Sequence, residues 1–460
     1  MNLTIENQTN LKSKFIWVIL AIIIIPSVFS IYSGNLTIAN QYFFLWIFIL
    51  LFFFLARAIV EKKLEFRIIS IIIGLSPLIN FLRLQEGLFY NIILVVFIVI
   101  LLLLILFENK IVFSLIKKNY SILFFLIFWL SYYVISLINT GVYYTNLRSL
   151  ELALAFIITI LVGKIGFSYI RLIFITMAIS SIFLSISLFS YWDFYSIERL
   201  GQLSNPSAIG LSLTIVFIAL LVNKSKWLGI ENNEALRYFL IAIVFLLSVF
   251  NASRMSWLII IICLFTYIIH TNITAEKKEV LTISIVLVVI VYGLLNIFKV
   301  PSVNYWIYRT FNFNSTLSTI SSGRTEQWQV ALFYISQDPM TIISGNGIGI
   351  SEGSFYEEIS EVANNYFNNK LRTAGRYINW HSLYISLLMS GGLLFLLPYL
   401  IWLIKLLSST IRIRDDSIFF MMIVAYMISI GTVSGWDLLS GFMLGVAYLG
   451  KIDGNRLHRL

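Results

Sequence analysis

Charge is scarce in this chain: only 12% of its 460 residues are charged against 59% hydrophobic, with a mean hydropathy of +0.92. That leaves too little polar surface to cover a water-soluble globule of this size. Cysteine is nearly absent. Cys263 is alone and lies inside an apolar run, which excludes an intramolecular disulfide and a thiolate metal cluster. Alternating ten-residue segments, the signature of a membrane β-barrel, are missing. Runs of about 20 apolar residues are frequent instead, and they match a hydrocarbon core in which a helix satisfies its own backbone groups. The expected fold is an all-α polytopic transmembrane bundle.

Apolar runs between charged residues give about fourteen candidate spans, and twelve at the least, near 15–33, 42–60, 68–82, 88–107, 120–138, 150–166, 172–192, 207–223, 238–253, 255–270, 280–298, 382–407, 417–434 and 437–450. The runs 68–82, 238–253 and 437–450 are short for a crossing, so tilted, broken or re-entrant segments are expected among them. The first run lacks a small-residue cleavage site and reads as a span rather than a signal peptide. With the N-terminus inside, Lys and Arg gather on alternate connections: Lys62, Lys63 and Arg67; Lys164 and Arg171; Lys224, Lys226 and Arg237; Lys405, Arg412 and Arg414; and the tail. The short connections between them hold one arginine each at most: Arg83, Arg148, Arg199 and Arg254. This is the positive-inside pattern of a multi-pass membrane protein with both termini cytoplasmic. It also accounts for the net charge of +10 without nucleic acid as a partner.

The orientation divides the chain into a bundle of about eleven spans (1–298), a large extracytoplasmic loop (299–381), and three further spans with a short tail (382–460). A loop this long in a tightly connected bundle is usually functional or disordered, and its many aromatics argue for order. Trp328, Leu332 and Ile335 recur at helical spacing behind Ser322 as a cap, and Asp338-Pro339 ends that helix. Gly345-Asn346-Gly347-Ile348-Gly349 lacks a surrounding βαβ unit and reads as a turn rather than a nucleotide loop.

Metal chemistry has no evident ligands on the outer side. No paired-carboxylate motif occurs there, Asp415-Asp416 falls inside, and Glu357, Glu358 and Glu361 read as a solvated face. No cofactor or metal is expected. Cationic and imidazole chemistry remain. Of three histidines, His458 is in the tail and His270 at an inner helix end, which leaves His381 where the loop returns to the membrane, shortly after Arg372 and Arg376. Such a histidine is either a structural hydrogen-bonding residue or a base. Arg254, at a tight outer turn, is either an interfacial anchor or a phosphate ligand, and the same two readings apply to Arg199.

The ordered set Arg199-x-Gly201, Asn205-Pro206, Gly210, Ser253-Arg254, Ser322-Gly323-Arg324 with Trp328, Pro339, Gly345-x-Gly347-x-Gly349, His381-Ser382-x-Tyr384 and Gly391-Gly392 resembles the O-antigen polymerase and O-antigen ligase family. The likeness covers roughly 195–395; Phe395 departs from the last position of the family's histidine motif. It implies metal-independent transfer of a glycan from undecaprenyl pyrophosphate to an acceptor hydroxyl on the periplasmic face. His381 would be the base, and Arg254 and Arg324 would bind pyrophosphate, with Arg199, Arg372 and Arg376 as further candidates. The leading expectation is a polymerase whose donor and acceptor are both lipid-linked repeat units, working beside a chain-length regulator and a flippase. The alternatives are a ligase acting on lipid A core, a protein O-oligosaccharyltransferase and, from another class, a flippase or transporter.

Overall fold

The computed structural model describes residues 64–83, 120–140, 144–189, 206–230, 232–251, 253–270, 324–345, 382–413, 417–432 and 438–457, with residues 373–374, 377–378 and isolated helical positions elsewhere. The candidate spans at 15–33, 42–60 and 88–107 lie outside the described residues.

The described chain is overwhelmingly helical. In order it forms α1 (Leu64–Gly74), α2 (Ser76–Arg83), α3 (Tyr120–Thr140), α4 (Tyr144–Ile165), α5 (Phe167–Phe189), α6 (Pro206–Leu221), a 3-10 turn (Val222–Leu228), α7 (Glu234–Phe250) and α8 (Arg254–His270). Then follow α9 (Arg324–Ser336), α10 (Pro339–Ser344), the two-residue strands β1 (Thr373–Ala374) and β2 (Tyr377–Ile378), α11 (Leu383–Ile411), α12 (Ile418–Thr432) and α13 (Leu438–Leu457). The antiparallel hairpin pairs Thr373 with Ile378 and Ala374 with Tyr377. It is the only strand pair among the described residues, a small addition to the expected all-α fold.

Among the described residues two helices, Phe167–Leu188 and Leu383–Ile411, are each long and apolar enough to cross a membrane. Exposed apolar stripes support the same environment. Leu258, Ile261, Phe265 and Ile269 lie along α8, and Leu394, Leu397, Ile401 and Ile404 along α11, all at least one-third exposed and spaced by three or four residues. Stripes of this size on water-facing helices would drive association, whereas lipid solvates them. The run at 68–82 is broken, as its shortness foreshadowed, into α1 and α2 at Leu75.

Helices pack through small residues, the membrane solution to close approach where lipid supplies no hydrophobic drive. Gly441-x-x-x-Gly445 on α13 meets α4: a Cβ at Gly441 would lie 2.5 Å from the Leu152 carbonyl, and one at Gly445 2.5 Å from Thr159 Cβ. The register, 441 beside 152–156 and 445 beside 159, makes α4 and α13 parallel. Gly450 of α13 abuts Phe419 at the start of α12, and the Tyr384 hydroxyl near the start of α11 donates to the Met427 carbonyl near the end of α12 (3.1 Å). The starts of α4, α11 and α13 and the end of α12 therefore share one end of the bundle. Cys263 of α8 meets Met421 near the start of α12. The Gly210 end of α6 meets Ser253 and Ser256 at the start of α8, and its other end leads to Trp227, which packs on Phe419 at the start of α12. The start of α8, with Arg254, therefore lies away from the start of α12 and at that same shared end.

Candidate functional site at the loop end of the bundle

Arg254 opens α8 immediately after the α7–α8 turn. That turn is tight because its polar groups are used locally. The Asn251 N–H donates to the Leu247 carbonyl (2.9 Å), the Trp257 N–H to the Ser253 carbonyl (3.1 Å), and Trp257 Nε1 reaches back to the Ser248 carbonyl (3.1 Å). The start of α6 presses on it. A Cβ at Gly210 would lie 2.7 Å from Ser253 Cβ and 2.8 Å from Asn251 Nδ2. Ser248, Asn251, Ser253 and Ser256 are all buried at this turn, and Arg254 among them in sequence is half-buried. Gly210 and Ser253-Arg254, far apart in sequence, are thus brought together.

Arg324 likewise is the first residue of its helix, α9. Burial lowers the pKa of its guanidinium from the ordinary value, yet an arginine remains cationic at any physiological pH. The expected helix exists, and of its three spaced apolar residues only Ile335 is buried. Gln327, Val330, Ala331 and Ile335 face inward, while Leu332 is 47% exposed and Trp328 only half-buried. The inward face packs with Ile359 and with Ile385, Leu388 and Met389 of α11 in a small core of its own. Contact with α11, rather than a solvent-facing amphipathic pattern, decides which face turns in.

Asp338 does end α9 and also starts α10. Its carboxylate accepts from the Met340 N–H (3.1 Å) and the Thr341 hydroxyl (2.8 Å), which hold its pKa below the ordinary carboxylate range. Gly345 then stops α10 at φ 69°. It does so against another glycine pair: a Cβ on Gly345 would lie 2.5 Å from Gly391 N and 2.6 Å from Gly392 N. Gly392 itself has φ 60°, ψ −154° and interrupts α11. The expected single span at 382–407 is therefore an outer half-helix, 383–391, joined by a kink to 393–411. The second part, about 28 Å long at 1.5 Å per residue, is enough for a crossing alone. Hydropathy missed the break because glycine interrupts no apolar run. The outer half-helix is capped by Ser382, whose Oγ accepts from the Ile385 N–H (3.5 Å).

Both described arginine candidates thus sit on helix N-termini, where unpaired backbone N–H groups and the helix dipole already favour an anion. Arg254 lies at the loop end of the bundle, and Arg324 is carried by a helix docked on the outer half of α11. His381 immediately precedes the Ser382 cap in sequence. It, Arg199, Arg372 and Arg376 lie outside the described residues, as does the expected cap Ser322.

Sequence reasoning passed over two buried charges. Glu151, in the second turn of α4, is 2% exposed. Arg237, counted only as an inner cation, is 1% exposed and donates through Nη1 to Glu279 (2.7 Å), which also accepts from the Tyr238 hydroxyl (2.8 Å). A charged residue amid apolar neighbours is the available signal. Arg237 belongs to the opposite end of the bundle and ties α7 to the segment that follows α8.

Comparison with curated proteins gives no match. A family model described as O-antigen ligase matches residues 238–400, from the start of α7 into the second part of α11. The match encloses Arg254, Arg324, Gly345, Ser382 and the Gly391-Gly392 kink, the set that the fold joins at one end of the bundle. Residues 238–400 are therefore similar to the O-antigen ligase family, which supports the O-antigen polymerase and ligase resemblance over that segment.

Proposed function

We propose that the chain is a glycan polymerase of the bacterial inner membrane, which transfers a growing chain from undecaprenyl pyrophosphate to a hydroxyl of a second lipid-linked repeat unit on the periplasmic face. At the coarser level the family supports a membrane glycosyltransferase of surface polysaccharide synthesis. One observation carries the finer reading. Two arginines begin helices at the loop end of the bundle, in the setting that best binds a multiply charged phosphate.

In this reading the acceptor oxygen attacks the anomeric carbon of the donor sugar and His381 takes the hydroxyl proton. The bond from the anomeric carbon to the phosphate oxygen breaks, and its electron pair leaves with undecaprenyl pyrophosphate. Arg254 and Arg324 stabilise the charge that grows on that leaving group. A positioned base is worth roughly 10² to 10⁴ in rate. Arg199, Arg372 and Arg376 are further pyrophosphate contacts, and the segments 1–298, 299–381 and 382–460 act as bundle, loop and closing spans. A chain-length regulator and a flippase are the expected partners.

The test is polymer formation from the purified repeat unit in lipid, with EDTA present. A ladder from wild type that His381→Ala and Arg324→Ala both abolish, with folding intact, supports the mechanism; a normal ladder from His381→Ala removes the base assignment. A ligase is the second reading, favoured by the description of the matched family. Transfer to lipid A core, with none to a lipid-linked repeat unit, would establish it in place of the polymerase.

A further inference from the structure

At the end of the bundle opposite the loop, basic residues from four separate elements converge on the start of α5. Arg171 of α5 and Lys226 of the 3-10 turn lie over one ring, that of Phe167, with Arg171 Cζ 5.6 Å and Lys226 Nζ 5.7 Å from its centroid. Arg67 of α1 hydrogen-bonds the Tyr169 hydroxyl two residues further on. Lys164 occupies the last turn of α4, three residues before Phe167. The positive-inside tendency scatters cations over all cytoplasmic connections; convergence of four from separate elements on one helix start is an arrangement that can contact a single anion from several sides.

The spot is also built rather than loose. Trp227 is 1% exposed and stacks edge-on against Phe167 (4.6 Å) and Phe419 (5.5 Å), so ring and 3-10 turn are fixed to the core. The Arg171 stem runs along the turn at Gly229, where a Cβ would meet its Cδ at 3.2 Å. Independently, α5 starts here after Gly166, and its first N–H groups add their partial positive charge to that of the side chains.

We propose that Arg67, Lys164, Arg171 and Lys226 form a second anion site, which takes the phosphate of a lipid headgroup at the end of the bundle away from the transfer reaction. The depth of these residues suits a headgroup, since α4 ends and α5 begins at this level and both are apolar on either side of it. Guanidinium and ammonium groups from several directions bind phosphate oxygens through charge-assisted hydrogen bonds.

The experiment uses the full chain in neutral detergent, titrated with short-chain phosphatidylglycerol and followed by thermal shift and native mass spectrometry, with inorganic phosphate as a separate arm. Wild type is expected to bind the lipid, and Arg171→Gln with Lys226→Gln to weaken it at least tenfold, roughly the worth of two such charges. The pair Arg171→Lys with Lys226→Arg retains charge and binding, which separates a lost site from a lost fold. Lys405→Gln with Lys451→Gln removes the same charge from the same end and leaves binding unchanged. An equal response to inorganic phosphate would assign the site to a free anion rather than a lipid. Equal binding by wild type and the glutamine pair, or an equal loss in the Lys405 and Lys451 control, overturns the proposal.

Discussion

Gly392→Ala is the sharpest perturbation the fold offers, because it acts on the joint between loop and bundle without touching a charged group. An alanine there must hold φ 60°, ψ −154°, a region essentially reserved to glycine, at a cost of roughly 1–3 kcal/mol. Its Cβ would also lie 2.5 Å from Gly345 N and closer still to the Ile343 carbonyl, so α10 must retreat, and overpacking of this kind typically costs about 1–3 kcal/mol. The total, roughly 2–6 kcal/mol, shifts the ratio of docked to undocked loop by about 30-fold or more. The main core does not pass through this contact, whereas the loop's own core is only Val330, Ala331, Ile335, Ile359 and Met389 with their neighbours. Loop and bundle should therefore separate in their response.

Trypsin cleavage after Lys370, Arg372 and Arg376 should accelerate at least tenfold in the variant, polymer formation should fall by a similar factor, and the main thermal transition should hardly move. Gly293→Ala is the matched control. Nothing lies within 4 Å of a Cβ at that helical position, so it should be neutral or slightly favourable through helix propensity. Wild-type protection and wild-type activity in Gly392→Ala would refute the coupling of loop to kink.

Two further outcomes follow from the charged groups. Asp338 has a depressed pKa because it accepts from Met340 and Thr341, so its contribution to α10 is present above the ordinary carboxylate value and is lost as pH falls through the lower, folded one. Acidification should loosen the loop to trypsin-like or pepsin cleavage before the bundle unfolds, and Asp338→Asn, which keeps a capping oxygen, should remove that pH step. Glu279→Gln leaves Arg237, 1% exposed, facing a neutral partner; it should cost about 3 kcal/mol, the lower end for a broken buried pair because Glu279 keeps some solvent. Replacing both, Arg237→Met with Glu279→Leu, should recover much of that loss in thermal unfolding.

Composition and spacing made most of the bundle legible. The candidate spans at 120–138, 150–166, 207–223, 255–270 and 417–434 each coincide with a described helix, since apolar length is a direct consequence of membrane thickness. The helix at 324–336 was visible from its periodicity, but its inward face was not. Trp328 and Leu332 are the larger apolar residues, yet Gln327 and Ala331 are buried because the face they share with Val330 and Ile335 is the one that docks on α11. Gly391-Gly392 was visible as a motif and invisible as a kink, because hydropathy carries no information on φ. Parallel packing of α4 and α13 depends on glycines 441 and 445 meeting residues nearly three hundred positions earlier, a relation that no local window contains. Within the candidate site, the types of residue were legible; that Arg254 and Arg324 both occupy the first position of a helix became apparent only with the helix boundaries.

That shared position argues for function over stability. A cation in the first turn of a helix opposes the dipole, at a cost of about 0.3–1 kcal/mol, and an acid or neutral cap is the stabilising choice. Arg254 is additionally half-buried, between Ser253 and Ser256 in sequence, both buried at the α6 contact, where charge is harder to solvate than on an open surface. Its role as an interfacial anchor predicts that Arg254→Gln lowers the melting temperature and leaves polymer formation nearly intact. Its role as a pyrophosphate ligand predicts the reverse: the melting temperature without substrate stays level or rises, while the rate falls by roughly 10² or more, as for other preorganised donors to a developing anion. Arg254→Lys then separates charge from geometry, since an ammonium supplies the charge without the two-pronged fork; partial activity with weakened donor affinity is expected. A destabilised Arg254→Gln that still polymerises at the wild-type rate would return this arginine to a structural role and leave Arg324 as the principal candidate for the phosphates.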